Sequence, residues 1–163
     1  MPEVVSELVQ VFVVRESEID YQLLLLRRAR DPAKGLWQPI WGHIKPGEAR
    51  VECAFRETRE EAALTRGAGL IEAFHLDGVH PFYIAGRDAI HVSPCFLFIA
   101  RRGWEPSLND EHDAHEWTLV RHAARRLAWP GQRESLAEIV AFLSTRDELG
   151  TAIRAMTRLD LPT

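Results

Sequence analysis

Between Gly42 and Leu64 the chain reads GHIKPGEARVECAFRETREEAAL, and no other stretch constrains it as tightly. Glu57, Glu60 and Glu61 fall within little more than one helical turn, with Glu48 and the loop glycines Gly42 and Gly47 just ahead. At about 100° per residue, Glu60 lies about 60° to one side of Glu57 and Glu61 about 40° to the other, an arc of roughly 100°. Val51, Ala54, Phe55, Thr58 and Ala62 fill the neighbouring sector. A helix starting near Ala49 can therefore bury one side and gather its carboxylates on another. Two readings fit this pattern. One is a solvated acidic face, supported by pairs such as Arg56–Glu60 at i,i+4. The other is a cation site, because Mg²⁺ relieves the repulsion with a few carboxylates while keeping waters.

The flanking sequence reads as strands. LVQVFVV (Leu8 to Val14) and YQLLLLRR (Tyr21 to Arg28) are apolar runs joined by the polar RESEID, a hairpin pattern. LWQPIWGHI is a short strand interrupted by Pro39. LIEAFHLDGVHPFYIAG and AIHVSPCFLFIARR follow the glutamate segment, and Cys95 to Ala100 is apolar enough to be buried on both faces. WEPSLNDEHDAH is a polar loop, EWTLV a short strand and RHAARRLAW a short helix. Leu136, Ile139, Val140 and Leu143 recur at helical spacing. The expected class is α+β, a mixed α/β arrangement rather than a doubly wound parallel sheet.

The 163 residues suit one domain, with residues 145–163 an extension of unassigned packing. A net charge of −4 gives no global attraction to nucleic acid or anionic membrane. No apolar run reaches membrane-spanning length and MPEVVSEL does not resemble a signal peptide, so the expectation is a cytoplasmic protein. Cys53 and Cys95 form no metal or disulfide pattern and are expected to pack as small apolar side chains.

Gly42, Glu48, Arg56, Glu57, Thr58, Glu60, Glu61, Ala63 and Leu64 resemble the Nudix box, G-x5-E-x7-R-E-U-x-E-E-x-G-U with U apolar. Every charged position matches; Thr58 and Ala63 depart. Ala63 replaces the glycine that ends the helix, where a left-handed cap would cost on the order of 1 kcal/mol. The helix is therefore expected to run on and stop before Gly67. LWQ-x3-G (Leu36 to Gly42) and EH-x4-W (Glu111 to Trp117) are similar to the dihydroneopterin triphosphate diphosphatase and dATP pyrophosphohydrolase-like branch, with dinucleoside tetraphosphatases nearby.

The resemblance covers about Val4 to Phe142 and implies an α/β/α sandwich with a curved mixed sheet. It also implies a Mg²⁺-dependent (or Mn²⁺-dependent) pyrophosphohydrolase that directs water at a phosphorus atom of a nucleoside or pterin polyphosphate. A dinucleoside polyphosphate hydrolase and a non-catalytic nucleotide-binding regulator are the alternatives. Glu57, Glu60, Glu61 and the Gly42 carbonyl are implied as metal ligands, with Arg56 orienting a carboxylate such as Glu48. Glu111 is the favoured general base and Glu60 or Glu61 its competitor. Trp37, Gln38, Lys45 and Arg27 (or its neighbour Arg28) are the substrate-side candidates. His112 and His115 are expected at the surface. A homodimer is a possible assembly; membrane and nucleic acid are not expected partners.

Overall fold

The computed structural model describes residues 1–163. The apolar runs become strands β2 (Leu8–Glu16) and β3 (Tyr21–Arg28), paired antiparallel with Val14 opposite Leu23. The first strand, β1 (Glu3–Val5), is three residues long and has no counterpart in the sequence reading. Pro39 splits the next segment into β4 (Trp37–Gln38) and β5 (Ile40–His43). The glutamate segment forms helix α1 (Arg50–Ala62). Strands β6 (Leu70–Ile84) and β7 (Ala89–Ala100) make a long hairpin. The β8 strand (His112–Leu119) begins earlier than expected, so His112 and His115 sit on a strand rather than in a loop. RHAARRLAW contributes to a 3-10 turn over Val120–Arg126, followed by α2 (Pro130–Ser144) and α3 (Glu148–Thr157).

One mixed sheet organises the molecule. Its centre is β2, parallel to β7 on one side and antiparallel to β3 and β5 on the other. β8 borders β3, and β6 borders β7. Side chains alternate across a strand, so each face carries its own core. Val9, Val11, Val13, Leu24 and Leu26 face α1 through Cys53, Ala54 and Ala62. Phe12, Val14, Leu23, Leu25 and Leu97 face α2 through Leu136, Ile139 and Leu143. The result is a helix–sheet–helix sandwich. Cys95 to Phe98 and Ala100 are buried, as a strand covered on both faces requires.

The end of α1 corrects one expectation. The helix stops at Ala62, and Ala63 adopts the left-handed conformation (φ 58°, ψ 25°) despite its Cβ. Its N–H donates to the Arg59 carbonyl at 3.0 Å and the Leu64 N–H to that of Thr58 at 3.4 Å. Leu64 is only 2% exposed, so core burial pulls the chain round where glycine would have made the turn easy. The tail is also seated. Asp147 caps α3 by accepting from the Gly150 N–H, the Leu159 N–H donates to the Ala73 carbonyl, and Leu159 and Leu161 pack on the α1-side core.

Candidate active site

The glycine at position 42 is required by contact rather than by backbone freedom. Val9 pairs with Gly42, which puts it on the α1 face of the sheet. A Cβ there would lie 2.1 Å from Glu57 Cγ, so the bare backbone is what lets Glu57 lie against β5. Arg56 then locks the neighbouring carboxylates. Its Nε and Nη2 donate to the two oxygens of Glu48 at 2.6 and 2.8 Å, a bidentate pair. Nη1 donates to Glu57 at 2.6 Å and to Glu60 at 3.2 Å, and Nη2 also reaches the His43 carbonyl at 2.9 Å. Glu48 in turn accepts from the Lys45 N–H at 2.9 Å. These two donors hold the Glu48 carboxyl down at about 2, Arg56 being the larger influence.

Glu61 lies deeper. It is 2% exposed, and its Oε2 has no hydrogen-bond partner. Burial, and then the charges of Glu57 and Glu111, push its carboxyl up to about 9. Burial likewise raises Glu57, partly opposed by Arg56. His112 Nδ1 stands 3.7 Å from Glu61 Oε2. That proximity is not an ion pair, because burial, aided by Arg28, pushes His112 down to about 4 and leaves it neutral near pH 7. The expectation of a surface His112 is therefore corrected: it is 4% exposed, on the α1 face beside Glu61. His115 remains at the surface, near Glu105 at 3.1 Å.

Strand alternation sorts the other candidates. Gln38 pairs with Leu26 and shares the α1 face, where it is 7% exposed. Trp37 pairs with Arg27 and packs on the α2-side core, with the guanidinium groups of Arg27 and Arg126 at 5.8 and 5.1 Å from its ring. Arg27 is also bonded to Asp113 at 2.7 Å. Neither Trp37 nor Arg27 is thus beside the carboxylates. Arg28 is, since its charge acts on both Glu61 and His112. Period-two parity along YQLLLLRR could have chosen Arg28 over Arg27; nothing local marks His112 as buried. Glu60 is half exposed, with Lys45 Nζ 3.9 Å away. Exposed Glu111 bears electrostatically on Glu57 and Glu61, and its backbone N–H is held by Asn109 at 3.1 Å.

The donor set fits a hard divalent cation. No three His, Cys, Asp or Glu side chains are gathered into a ready-made cage. That disfavours ions held wholly by protein ligands, but Mg²⁺ needs only one or two carboxylates plus waters and substrate phosphates. The unpartnered Glu61 Oε2 beside Glu57 is a buried oxygen donor that such an ion would take in exchange for the carboxyl proton.

Residues 8–139, which span the sheet from β2 to β8, the carboxylate helix α1 and most of α2's buried face, match the NUDIX domain family. The chain belongs to the NUDIX family, and within it to the hydrolases. It is 30% identical over 108 residues to the asymmetrical bis(5'-nucleosyl)-tetraphosphatase of Sus scrofa, covering 66% of this chain and 71% of that one. A Myxococcus xanthus octanoyltransferase is 31% identical over 140 residues, 82% of this chain but 36% of the relative, so the chain spans about a third of that protein. Among solved structures, a Caenorhabditis elegans Ap4A hydrolase binary complex superposes with a TM-score of 0.72 at 24% identity, over 86% of this chain and 98% of that one. Escherichia coli dihydroneopterin triphosphate pyrophosphohydrolase gives 0.67 at 22%, over 82% and 94%. No helix is long and apolar enough to cross a membrane.

Proposed function

We propose that this chain hydrolyses a phosphoric anhydride bond of a nucleotide polyphosphate, with dinucleoside tetraphosphates as the leading substrate class. The observation that carries the reading is the buried pair Glu57 and Glu61, one clamped by Arg56 and the other with an unpartnered oxygen. Glu57, Glu60 and Glu61, with the Gly42 carbonyl, would hold Mg²⁺ or Mn²⁺. When bound, the ion supplies neutralising charge for the polyphosphate and Lewis acidity toward water. Arg56 keeps the ligands in register through Glu48 and Glu57. Lys45 and Arg28 add positive charge on either side of the carboxylate row, and Gln38 borders the same face.

In the reaction, a water oxygen forms a bond to phosphorus while the anhydride P–O bond breaks and its oxygen leaves with the departing phosphate. Glu111 takes the proton from the water, with Glu60 the competing base. Similarity to the tetraphosphatases supports the dinucleoside substrate over a pterin triphosphate, to which the likeness is one of fold alone. An acyl-transfer reading lacks comparable support. Both thiols are buried, and burial pushes Cys53 up to about 12 and Cys95 to about 11, far from a reactive thiolate.

The test is product identification from diadenosine tetraphosphate, dATP and dihydroneopterin triphosphate with Mg²⁺ and with EDTA. Asymmetric cleavage of the tetraphosphate that EDTA abolishes, and that Glu60→Gln and Glu61→Gln each lose, supports the proposal. Full turnover in both variants would remove the ligand assignment. An undiminished rate in Glu111→Gln would exclude Glu111 as the base and leave Glu60.

A further inference from the structure

A cavity of about 630 Å³ lies on the flank of α1 turned away from the carboxylates. At about 100° per residue, Val51, Phe55 and Arg59 fall between about 120° and 200° from Glu57, so the helix separates this space from the site above. Its size is within the range of small-molecule sites, roughly 300–1,000 Å³. Val51, Phe55, Leu64 and Leu70 form an apolar floor, and Leu161 of the C-terminal tail closes one wall. The floor is firm: Phe55 packs on Phe98 with ring centroids 4.8 Å apart, and Leu64 is 2% exposed.

The remaining walls are also held in place. Ala68 and Leu70 N–H groups both donate to the Thr65 carbonyl at 2.9 Å, shaping the loop beneath the cavity. The tail is tied to β6 by the Leu159 N–H to Ala73 carbonyl bond at 2.8 Å and by the Arg158–Glu72 ion pair. The space therefore exists before any ligand arrives. Its rim carries charge that the fold leaves uncommitted. Arg59 and Arg66 line it, both exposed, and neither side chain enters an ion pair or hydrogen bond. Arg56 also lines it, but its N–H groups are committed to Glu48, Glu57, Glu60 and the His43 carbonyl, so only its stem is offered.

Two carboxylates face the same space. Glu52 is engaged with the Ala49 N–H at 2.9 Å, and Asp160 stands on the tail. Arg59 and Arg66 balance Glu52 and Asp160 in number, but only the two guanidinium groups have all their N–H donors free, so the rim offers local hydrogen-bond donors to an oxyanion without a net positive field. We propose that this cavity is a second ligand site, for a small amphipathic anion: an aromatic or short aliphatic body with one carboxylate or phosphate group. The apolar body would cover the floor, and the oxyanion would take charge-assisted hydrogen bonds from Arg59 and Arg66.

The test reads binding without hydrolysis, so its outcome is independent of the proposed activity. Amide NMR shifts of the full chain are followed during titration with 4-phenylbutyrate and, separately, with neutral 4-phenylbutan-1-ol. The expected result is saturable shifts with the carboxylate, centred on residues 51–70 and 158–163, and at least about tenfold weaker binding of the alcohol. Arg59→Gln with Arg66→Gln, both at the surface, is expected to weaken 4-phenylbutyrate about tenfold or more. Leu161→Ala, which thins the apolar wall, should weaken both probes together. Shifts absent from this region, equal binding of acid and alcohol, or unchanged affinity in the double variant would each overturn the proposal.

Discussion

Gly42 and Ala63 show how one atom decides local structure in opposite directions. At Gly42 the missing Cβ makes room for Glu57, which a methyl would meet at 2.1 Å. Gly42→Ala is therefore expected to fold but to displace Glu57, a proposed metal ligand, with hydrolysis falling roughly 10–100-fold and apparent Mg²⁺ affinity falling with it. Steady-state rates across a Mg²⁺ titration would show this, and wild-type values would remove the contact argument. At Ala63 the Cβ is present where the backbone wants none (φ 58°). Ala63→Gly should stabilise the protein by about 0.5–1 kcal/mol, which thermal melts would read as a rise of a few degrees. An unchanged or lower midpoint would count against strain at this cap. The sequence made both positions visible through box spacing, but it could not say which way Ala63 would resolve. That depended on Leu64 entering the core, a tertiary fact. The same limit applies to Arg28 and His112. Parity could assign the first to a face, while the burial of the second depends on β3 lying alongside β8.

At the level of elements, the connection between β7 and β8 is more constrained than a polar loop suggests. Glu105 accepts from Arg15 Nη1 at 2.6 Å and from Trp117 Nε1 at 2.9 Å, with His115 at 3.1 Å. The Ser107 N–H donates to the Ala62 carbonyl at 3.1 Å, satisfying the end of α1, and the Glu111 carbonyl accepts from the Ala29 N–H at 2.8 Å. The loop is thus tied to the sheet, to α1 and to the segment after β3, and Glu111 rides on it. Removing the first tie in Glu105→Ala should lower kcat about tenfold through misplacement of Glu111, while Mg²⁺ affinity stays near the wild-type value. Glu105→Gln, which retains an acceptor for Trp117, should fall between the two. Unchanged kcat in Glu105→Ala would mean the other ties suffice. The strands with strong apolar runs were legible because local pattern specifies them. β1 was not, because three residues become a strand only by pairing with β7. The fit of α3 was equally hidden, since its seat includes Arg154 donating to the Thr145 and Phe142 carbonyls at 2.8 and 2.7 Å.

For the whole molecule, the carboxylate site couples stability to pH and, on the proposed metal assignment, to cations. Glu61 is held at about 9, well above the ordinary value of 4.5, so the folded chain keeps a proton there that the unfolded chain releases. Its contribution to stability is complete below about 4.5 and is lost as pH rises toward 9. His112 runs the other way. Its folded value of about 4 lies below the ordinary 6.5, so its contribution is present above 6.5 and lost as pH falls through that interval. Between 6.5 and 9 His112 is neutral in both states and Glu61 stands apart from it. In EDTA, denaturant melts should show wild-type stability declining relative to Glu61→Gln across that window, by at most about 1.4 kcal/mol per pH unit. On the proposed ligand assignment, Mg²⁺ would bind the ionised Glu61 carboxylate and so compete with the proton. The midpoint gained on adding Mg²⁺ should therefore grow as pH rises, and should shrink in Glu61→Gln. Parallel pH profiles for the two proteins in EDTA would show that Glu61 is not the proton store. A Mg²⁺ increment that ignores both pH and the substitution would move the ion away from Glu61. If both dependences appear together, the cost of ionising buried Glu61, set first by burial and then by the charges of Glu57 and Glu111, is what the cation offsets.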